Sequence, residues 1–210
     1  MVQTLAISKA ITTLDELREK FNLNPTTDNN FFTEWFQDLP ELTDEEKAAL
    51  DRVRQRFVRH RDRGEVAEST VNLLLVSPLL EMAGFFDEPF FISTEPQVEI
   101  LIEDRDELLR GRIDTLVIHQ RLWVLVVESK RSISFEAAIP QALTYMMGNP
   151  QPEKPVYGLV TDGSLSMFIK LLKQDLPQYD FSDTFSLLLR RQNKLYEILR
   201  VLKKIGSAIA

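Results

Sequence analysis

The stretch from Ile113 to Arg131, IDTLVIHQRLWVLVVESKR, decides how this chain folds. Two apolar, β-branched runs, Ile113 to His119 and Leu122 to Val127, are joined across Gln120 and Arg121, which predicts an antiparallel strand pair inside a meander. Asp114 stands near the start of the first run, and Glu128 and Lys130 at the end of the second. Folding back between the runs therefore brings two carboxylates and an ammonium to one edge of a sheet. Side chains alternate faces along a strand, so the register decides whether they meet. A two-residue turn pairs His119 with Leu122 and sets Asp114 opposite Val127, leaving Glu128 on the wrong face. A three-residue loop, or a bulge with the same effect, sets Asp114 opposite Glu128. The second geometry is expected here.

Reading outward, QVEILIE (Gln97 to Glu103) alternates apolar and polar residues, the pattern of a half-buried strand. Asp104 to Gly111 reads as a charged, polar connection. Ser134 caps a predicted helix over Phe135 to Met147, stopped by Gly148, Asn149 and Pro150. Val156 to Thr161 reads as a strand, and Asp162-Gly163 marks a hairpin into Leu165 to Leu171. On the other side, Glu65 to Ala83 reads as a helix with Val71, Leu75 and Leu79 inward and a kink near Pro78.

Thr43 and Glu46 form a capping box opening a helix whose apolar stripe is Leu50, Val53 and Phe57, ended by Gly64. Thr13 and Glu16 do the same for a short helix to Asn22. Asn24 to Asn30 is loop by composition, Phe31 to Phe36 a turn or two of helix, and Asp183 to Lys204 a last long helix. The order through the middle is helix, three strands, helix, strand pair, which predicts an α/β sandwich around a mixed sheet flanked by helices. The expected division is an N-terminal helical arm over 1–44, a core over 45–172 and a C-terminal helical extension over 173–210.

The chain has 210 residues, 44% hydrophobic and 27% charged, with 13 phenylalanines to fill a core. It has no cysteine, which excludes disulfides, thiolate zinc sites and cysteine catalysis. No segment reads as a signal peptide or a membrane span, so a soluble, cytoplasmic protein is expected. The net charge of −7 runs against indiscriminate nucleic-acid binding.

A pair such as Asp114 and Glu128 can hold Mg²⁺, which prefers hard oxygen ligands. Lys130 is placed to orient a water and to offset charge developing in a transition state. By itself an ExK after an apolar strand reads more readily as the solvated end of a buried strand. The acid fourteen residues earlier, across a hairpin, favours the site.

Asp114…Glu128-Ser129-Lys130 resembles the D…(D/E)xK signature of the restriction-endonuclease-like, or PD-(D/E)xK, nucleases. The segments GRIDTLVIH, LWVLVVESKR and IPQALTYM resemble in particular the N-terminal nuclease domain of the R subunit of type I restriction enzymes. The likeness covers about Glu65 to Leu171. It implies a restriction-endonuclease-like αβββαβ core and metal-dependent hydrolysis of DNA phosphodiesters with Mg²⁺ or Mn²⁺. It also implies Glu68 (with Glu65 as rival), Asp114, Glu128 and the Ser129 carbonyl as the metal set. Gln141 and Tyr145 match the family's QxxxY pattern; at i and i+4 they share a helix face, directed either at the site or outward as a polar pair.

Ile113 stands where the motif often has proline, and no GxxxxGK[ST] phosphate loop of a motor occurs. A free-standing nuclease, a piece of a split restriction system or a domesticated relative remains open, as does a non-catalytic relative serving as an interaction subunit. Arg52, Arg56, Arg59 and Arg63, spaced four, three and four apart, form a stripe fit either for phosphate contact or for simple solvation. The basic, leucine-rich C-terminal helix is expected to pack on the domain or on a second copy.

Overall fold

A computed structural model describes residues 3–102, 106–119, 122–129, 135–174 and 176–209. In chain order the elements are β1 (Gln3–Ala6), α1 (Ile7–Ala10), α2 (Leu14–Phe21), β2 (Asn24–Pro25) and α3 (Asp44–Arg61). Then come α4 (Glu68–Val71), a π turn (Asn72–Val76) and α5 (Ser77–Met82), followed by β3 (Phe90–Thr94), β4 (Gln97–Ile102), β5 (Glu107–Arg112), β6 (Thr115–His119) and β7 (Leu122–Ser129). The chain ends with α6 (Phe135–Met147), β8 (Val156–Thr161), β9 (Leu165–Leu172), β10 (Gln178–Phe181), β11 (Phe185–Ser186) and α7 (Leu195–Ile209).

Local signals set the helix starts. Both capping boxes form: Thr13 with Glu16 on α2, and Thr43 with Glu46 on α3. Asn22 ends α2 in the left-handed region (φ 50°), the stop that asparagine tolerates. The helix expected over Glu65 to Ala83 begins at Glu68 and runs through to Met82 with a π turn in its middle. Pro78 explains that turn: it has no N–H to donate and its ring crowds the preceding turn. The Ser77 N–H reaches back five residues to the Asn72 carbonyl instead.

The main sheet runs β2-β10-β9-β8-β7-β6-β3, with β11 also on β9. Its centre is the parallel pair β7–β8, joined through α6 as a parallel crossover requires. All six residues of β8 are buried, because both faces of the sheet are covered. On one face Val117, Tyr157, Leu159 and Phe168 pack under α3, the α4–α5 helix and α7. On the other, Leu116, Val160 and Ile169 pack under α6 and the N-terminal helices. The class is mixed α/β. A second sheet, β1-β5-β4, continues β3 and β6 past a bend.

Several expectations need correction. Asp104 to Gly111 holds a strand, β5, whose outer face carries Arg110 and Arg112 to solvent and whose buried residue is Leu109. That outward charge disguises it as a loop. The N-terminal arm adds two strands to its helices, β1 on β5 and β2 on β10. Phe31 to Phe36 forms turns without a helix. The last helix starts at Leu195, not Asp183, since residues 185–186 join the sheet. Its Leu195, Ile198, Leu199, Val201, Leu202 and Ile205 are all buried, in contact with α3 and α5 of the same chain. The Ser134 cap and the end of the Gln97 to Glu103 run lie outside the described residues.

Candidate functional site

The β6–β7 pair meets the expected register through a bulge. His119 pairs with Leu122, as a two-residue connection requires, but the register shifts between Val117 and Ile118. From there Val117 pairs with Leu125, Leu116 with Val126 and Thr115 with Val127, leaving Val124 as the extra residue. One step further sets the backbone of Asp114 across from Glu128. On its other side Glu128 pairs with Val160, and Ser129 with Thr161, at the carboxyl end of the parallel strands. The backbone alone is described for Glu128 and Ser129, and Lys130 lies outside the described residues.

Asp114 sits where the chain passes from one sheet to the other. The Glu95 N–H donates to the Asp114 carbonyl (3.2 Å) and the Ile113 N–H to the Pro96 carbonyl (3.2 Å). Glu95 takes a left-handed backbone (φ 51°) to make the bend. The bend and the start of α4 enclose a pocket of about 440 Å³ lined by Ala67, Glu68, Ser69, Asn72, Glu95 and Asp114. Glu68 and Asp114, far apart in sequence, thus share one pocket, both half-buried. Glu65, the rival, lines a different pocket beside Asp162. Glu95 and Asn72 were not anticipated. The Asn72 Oδ1 is buried there without a hydrogen-bond partner. Nothing in the sequence flagged Glu95, because β3 itself was not read as a strand.

Gln141 and Tyr145 do share a helix face: the Gln141 Nε2 donates to the Tyr145 hydroxyl at 3.0 Å. Tyr145 is buried against β5, where a Cβ on Gly111 would stand 2.6 Å from its ring and hydroxyl. Only glycine lets that ring come so close. The structure brings Tyr145 to a cleft beside Gly111, three residues before Asp114, rather than into the carboxylate pocket. Arg112 joins the two: it lines Tyr145's cleft, and its Nη1 meets Glu95 Oε2 of the carboxylate pocket at 3.0 Å. With side chains 63% and 72% exposed, that ion pair is worth no more than about 1 kcal/mol.

Arg52, Arg56 and Arg59 are exposed on α3, but the helix ends at Arg61, so Arg63 lies past the stripe. A groove of about 960 Å³ holds Arg52, Arg59, Arg61 and Arg63 on one wall and Leu187, Leu188 and Arg190 on the other. Arg54 is taken up in building it, its Nη2 donating to the carbonyls of Leu187 (3.3 Å) and Leu189 (2.7 Å).

A third charged group lies apart. Glu34 Oε1 accepts from Lys170 Nζ (2.6 Å) and from the Tyr157 hydroxyl (2.7 Å), with the Lys170 ammonium over the rings of Phe31 and Tyr157. Burial pushes the Glu34 carboxyl up, yet the hydrogen bonds from Lys170 and Tyr157 outweigh it and hold the group below its ordinary value. Burial and the Glu34 charge push the Tyr157 hydroxyl far up, so it stays protonated.

Among the described residues no three His, Asp or Glu side chains are placed to hold a metal, and no helix is long and apolar enough to cross a membrane. No protein-family model and no curated protein sequence matches the chain.

Proposed function

We propose that this chain is a divalent-metal-dependent DNA endonuclease with a restriction-endonuclease-like core, free-standing or part of a restriction system in the cytoplasm. One observation carries the reading: Glu68 and Asp114 line one pocket, while the bulge in β7 sets the backbone of Glu128 across from Asp114. Glu68 on α4 and Asp114 at the bend before β6, far apart in sequence, line one pocket and so suit a common ligand.

Two carboxylates in one open pocket fit a hard cation that keeps part of its water shell. Glu68, Asp114, Glu128 and the Ser129 carbonyl would hold Mg²⁺ or Mn²⁺. When bound, the ion neutralises a phosphodiester oxygen and lowers the pKa of the attacking water. Lys130 orients that water and offsets charge on the transferring phosphate. Gln141 fixes the Tyr145 hydroxyl, and the pair positions substrate from the side of β5. The exposed arginines of α3 contact DNA phosphates away from the reacting bond.

The net charge of −7 favours a second reading, a non-catalytic relative acting as an interaction subunit. A plasmid-nicking assay separates the two. The chain is expected to nick in Mn²⁺ or Mg²⁺, not in EDTA, and the Asp114→Ala protein to nick in neither metal. No nicking by the intact chain in either metal would overturn the nuclease reading.

A further inference from the structure

We propose that Arg112, with Arg110 behind it, is a phosphate anchor that leads one strand of nucleic acid across β5 to the Asp114 pocket. The inference rests on the nuclease reading and adds a binding track on the small sheet, remote from the arginines of α3. Three observations support it.

The first is position. Arg112 is two residues ahead of Asp114 on the same run of chain, and its guanidinium lies on Glu95, itself a wall of the pocket that holds Asp114 and Glu68. Arg112 therefore stands at the seam between that pocket and the neighbouring cleft of about 630 Å³. The cleft is open and polar, lined by Ser8, Gln97, Glu99, Arg110, Arg112 and Tyr145 among others. It leads away from the carboxylates along β5.

The second is spacing. Arg110 and Arg112 point from the same, outer face of β5, across from Glu99 and Gln97 of β4. Two residues along a strand cover roughly 7 Å, close to the step between neighbouring phosphates of an extended polynucleotide. Arg110 and Arg112 offer two cations at that step, and past Arg112 the chain bends to Asp114 and the carboxylate pocket. Successive phosphates on one side of the one being cut would thus be held. The fork of a guanidinium suits a phosphate in two-pronged fashion.

The third is availability. Both arginines are engaged, Arg112 with Glu95 at 3.0 Å and Arg110 with Glu99 at 2.8 Å, yet every partner is more than half exposed. Ion pairs so open to water hold weakly and exchange readily for a doubly accepting phosphate. Glu95 and Glu99 then act as placeholders that keep the arginines extended over the cleft in the free protein. The row is on the outer face of β5, whereas the packing of β5 rests on Leu109 and on Gly111 beneath Tyr145.

Binding of a labelled DNA duplex and of its single strand, read by fluorescence anisotropy in EDTA over a salt series, tests the anchor. Arg112→Ala should weaken binding by about fivefold or more and make the salt slope shallower by about 0.9 on duplex or 0.7 on single strand. Glu95→Gln, which frees the guanidinium, should bind at least as tightly as the unaltered chain. A structural brace would behave otherwise, since cutting it from either end should do the same harm. Arg112→Ala binding with unchanged affinity and slope, or Glu95→Gln weakening binding as Arg112→Ala does, overturns the proposal. Either result beside intact plasmid nicking overturns the anchor alone. An unaltered chain that neither binds nor nicks DNA overturns the nuclease reading with it.

Discussion

Two carboxylate sites in this molecule are built on opposite plans. Glu34 is closed in: an ammonium and a phenol fill one of its oxygens, two aromatic rings cover the ammonium, and its side chain is 16% exposed. Glu68 and Asp114 line an open pocket on a bend between sheets. The Glu34 cluster ties the N-terminal segment, which carries no regular structure from residue 26 to residue 43, to the middle of β8 and β9. The first carboxylate is enclosed by the groups that answer it; the second pair lies where a solvent-borne ligand can reach it. The contrast can be broken by experiment.

Its largest consequence concerns activity. Replacing Asp114, Glu128 or Lys130 by alanine should each reduce nicking by on the order of 10²–10³ or more. The far-ultraviolet circular dichroism and melting temperature should stay near those of the intact chain, because each change removes a charged group rather than an apolar side chain. Full activity in any one variant would dismantle the proposed site. The Glu34 cluster should answer the other way. Lys170→Met leaves a carboxylate in a half-buried place with its cation gone, which should cost about 3 kcal/mol in urea unfolding, with nicking by the folded fraction unchanged. Adding Glu34→Gln should recover part of that loss, and a double-mutant cycle measures how much.

The pH dependence sharpens the same contrast. The folded carboxyl of Glu34 titrates below its ordinary value of 4.5. The unfolded chain therefore takes up the proton first as acid is added. The stabilisation from Glu34 is complete above about 4.5 and is lost as pH falls through the lower, folded value. In Lys170→Met the strongest lowering influence is gone while burial remains, so acid unfolding should begin at a higher pH than in the intact chain. Coincident acid-unfolding curves for the two proteins would show that the pair contributes no pH-dependent stability.

How much of this was legible depends on where the information sits. Capping boxes are local, and both formed where Thr13 and Thr43 announced them. The disturbance before Pro78 was readable because a missing N–H acts on its own helix. The need for an odd register between Asp114 and Glu128 followed from strand alternation alone, although the place of the bulge, at Val124 of β7, did not. Strands with one solvated face were harder. Phe90–Thr94 lies at the sheet edge with Phe91 67% exposed, and Glu107–Arg112 shows its charges outward, so neither displayed a clean apolar run. Missing those two strands hid the bend between them, and with it Glu95 and Arg112. Residues 173 to 194 misled for a different reason: their leucines and arginines have helical composition, but pairing with β9 at residues 178–181 and 185–186 overrides that preference.

The smallest expected effect lies on α3, where the two plans stand side by side. Arg54 is built in, its Nη2 donating to the carbonyls of Leu187 and Leu189. Arg52 and Arg56, two residues before and two after Arg54 on the same helix, face solvent. Substituting Arg54 by alanine should lower the melting temperature, since it strips the Leu187 and Leu189 carbonyls of their charged donor, and should leave the salt dependence of DNA binding as it was. Substituting Arg52 and Arg56 together should leave the melting temperature alone. If both touch duplex phosphates, the slope of log K against log salt should become shallower by about 1.8, or 0.9 for each lost contact. An unchanged slope would return the stripe to a solvated helix face and assign the electrostatics of DNA binding to β5. A melting temperature that falls for the exposed pair as much as for Arg54 would mean that solvent exposure does not separate structural from functional charge in this protein.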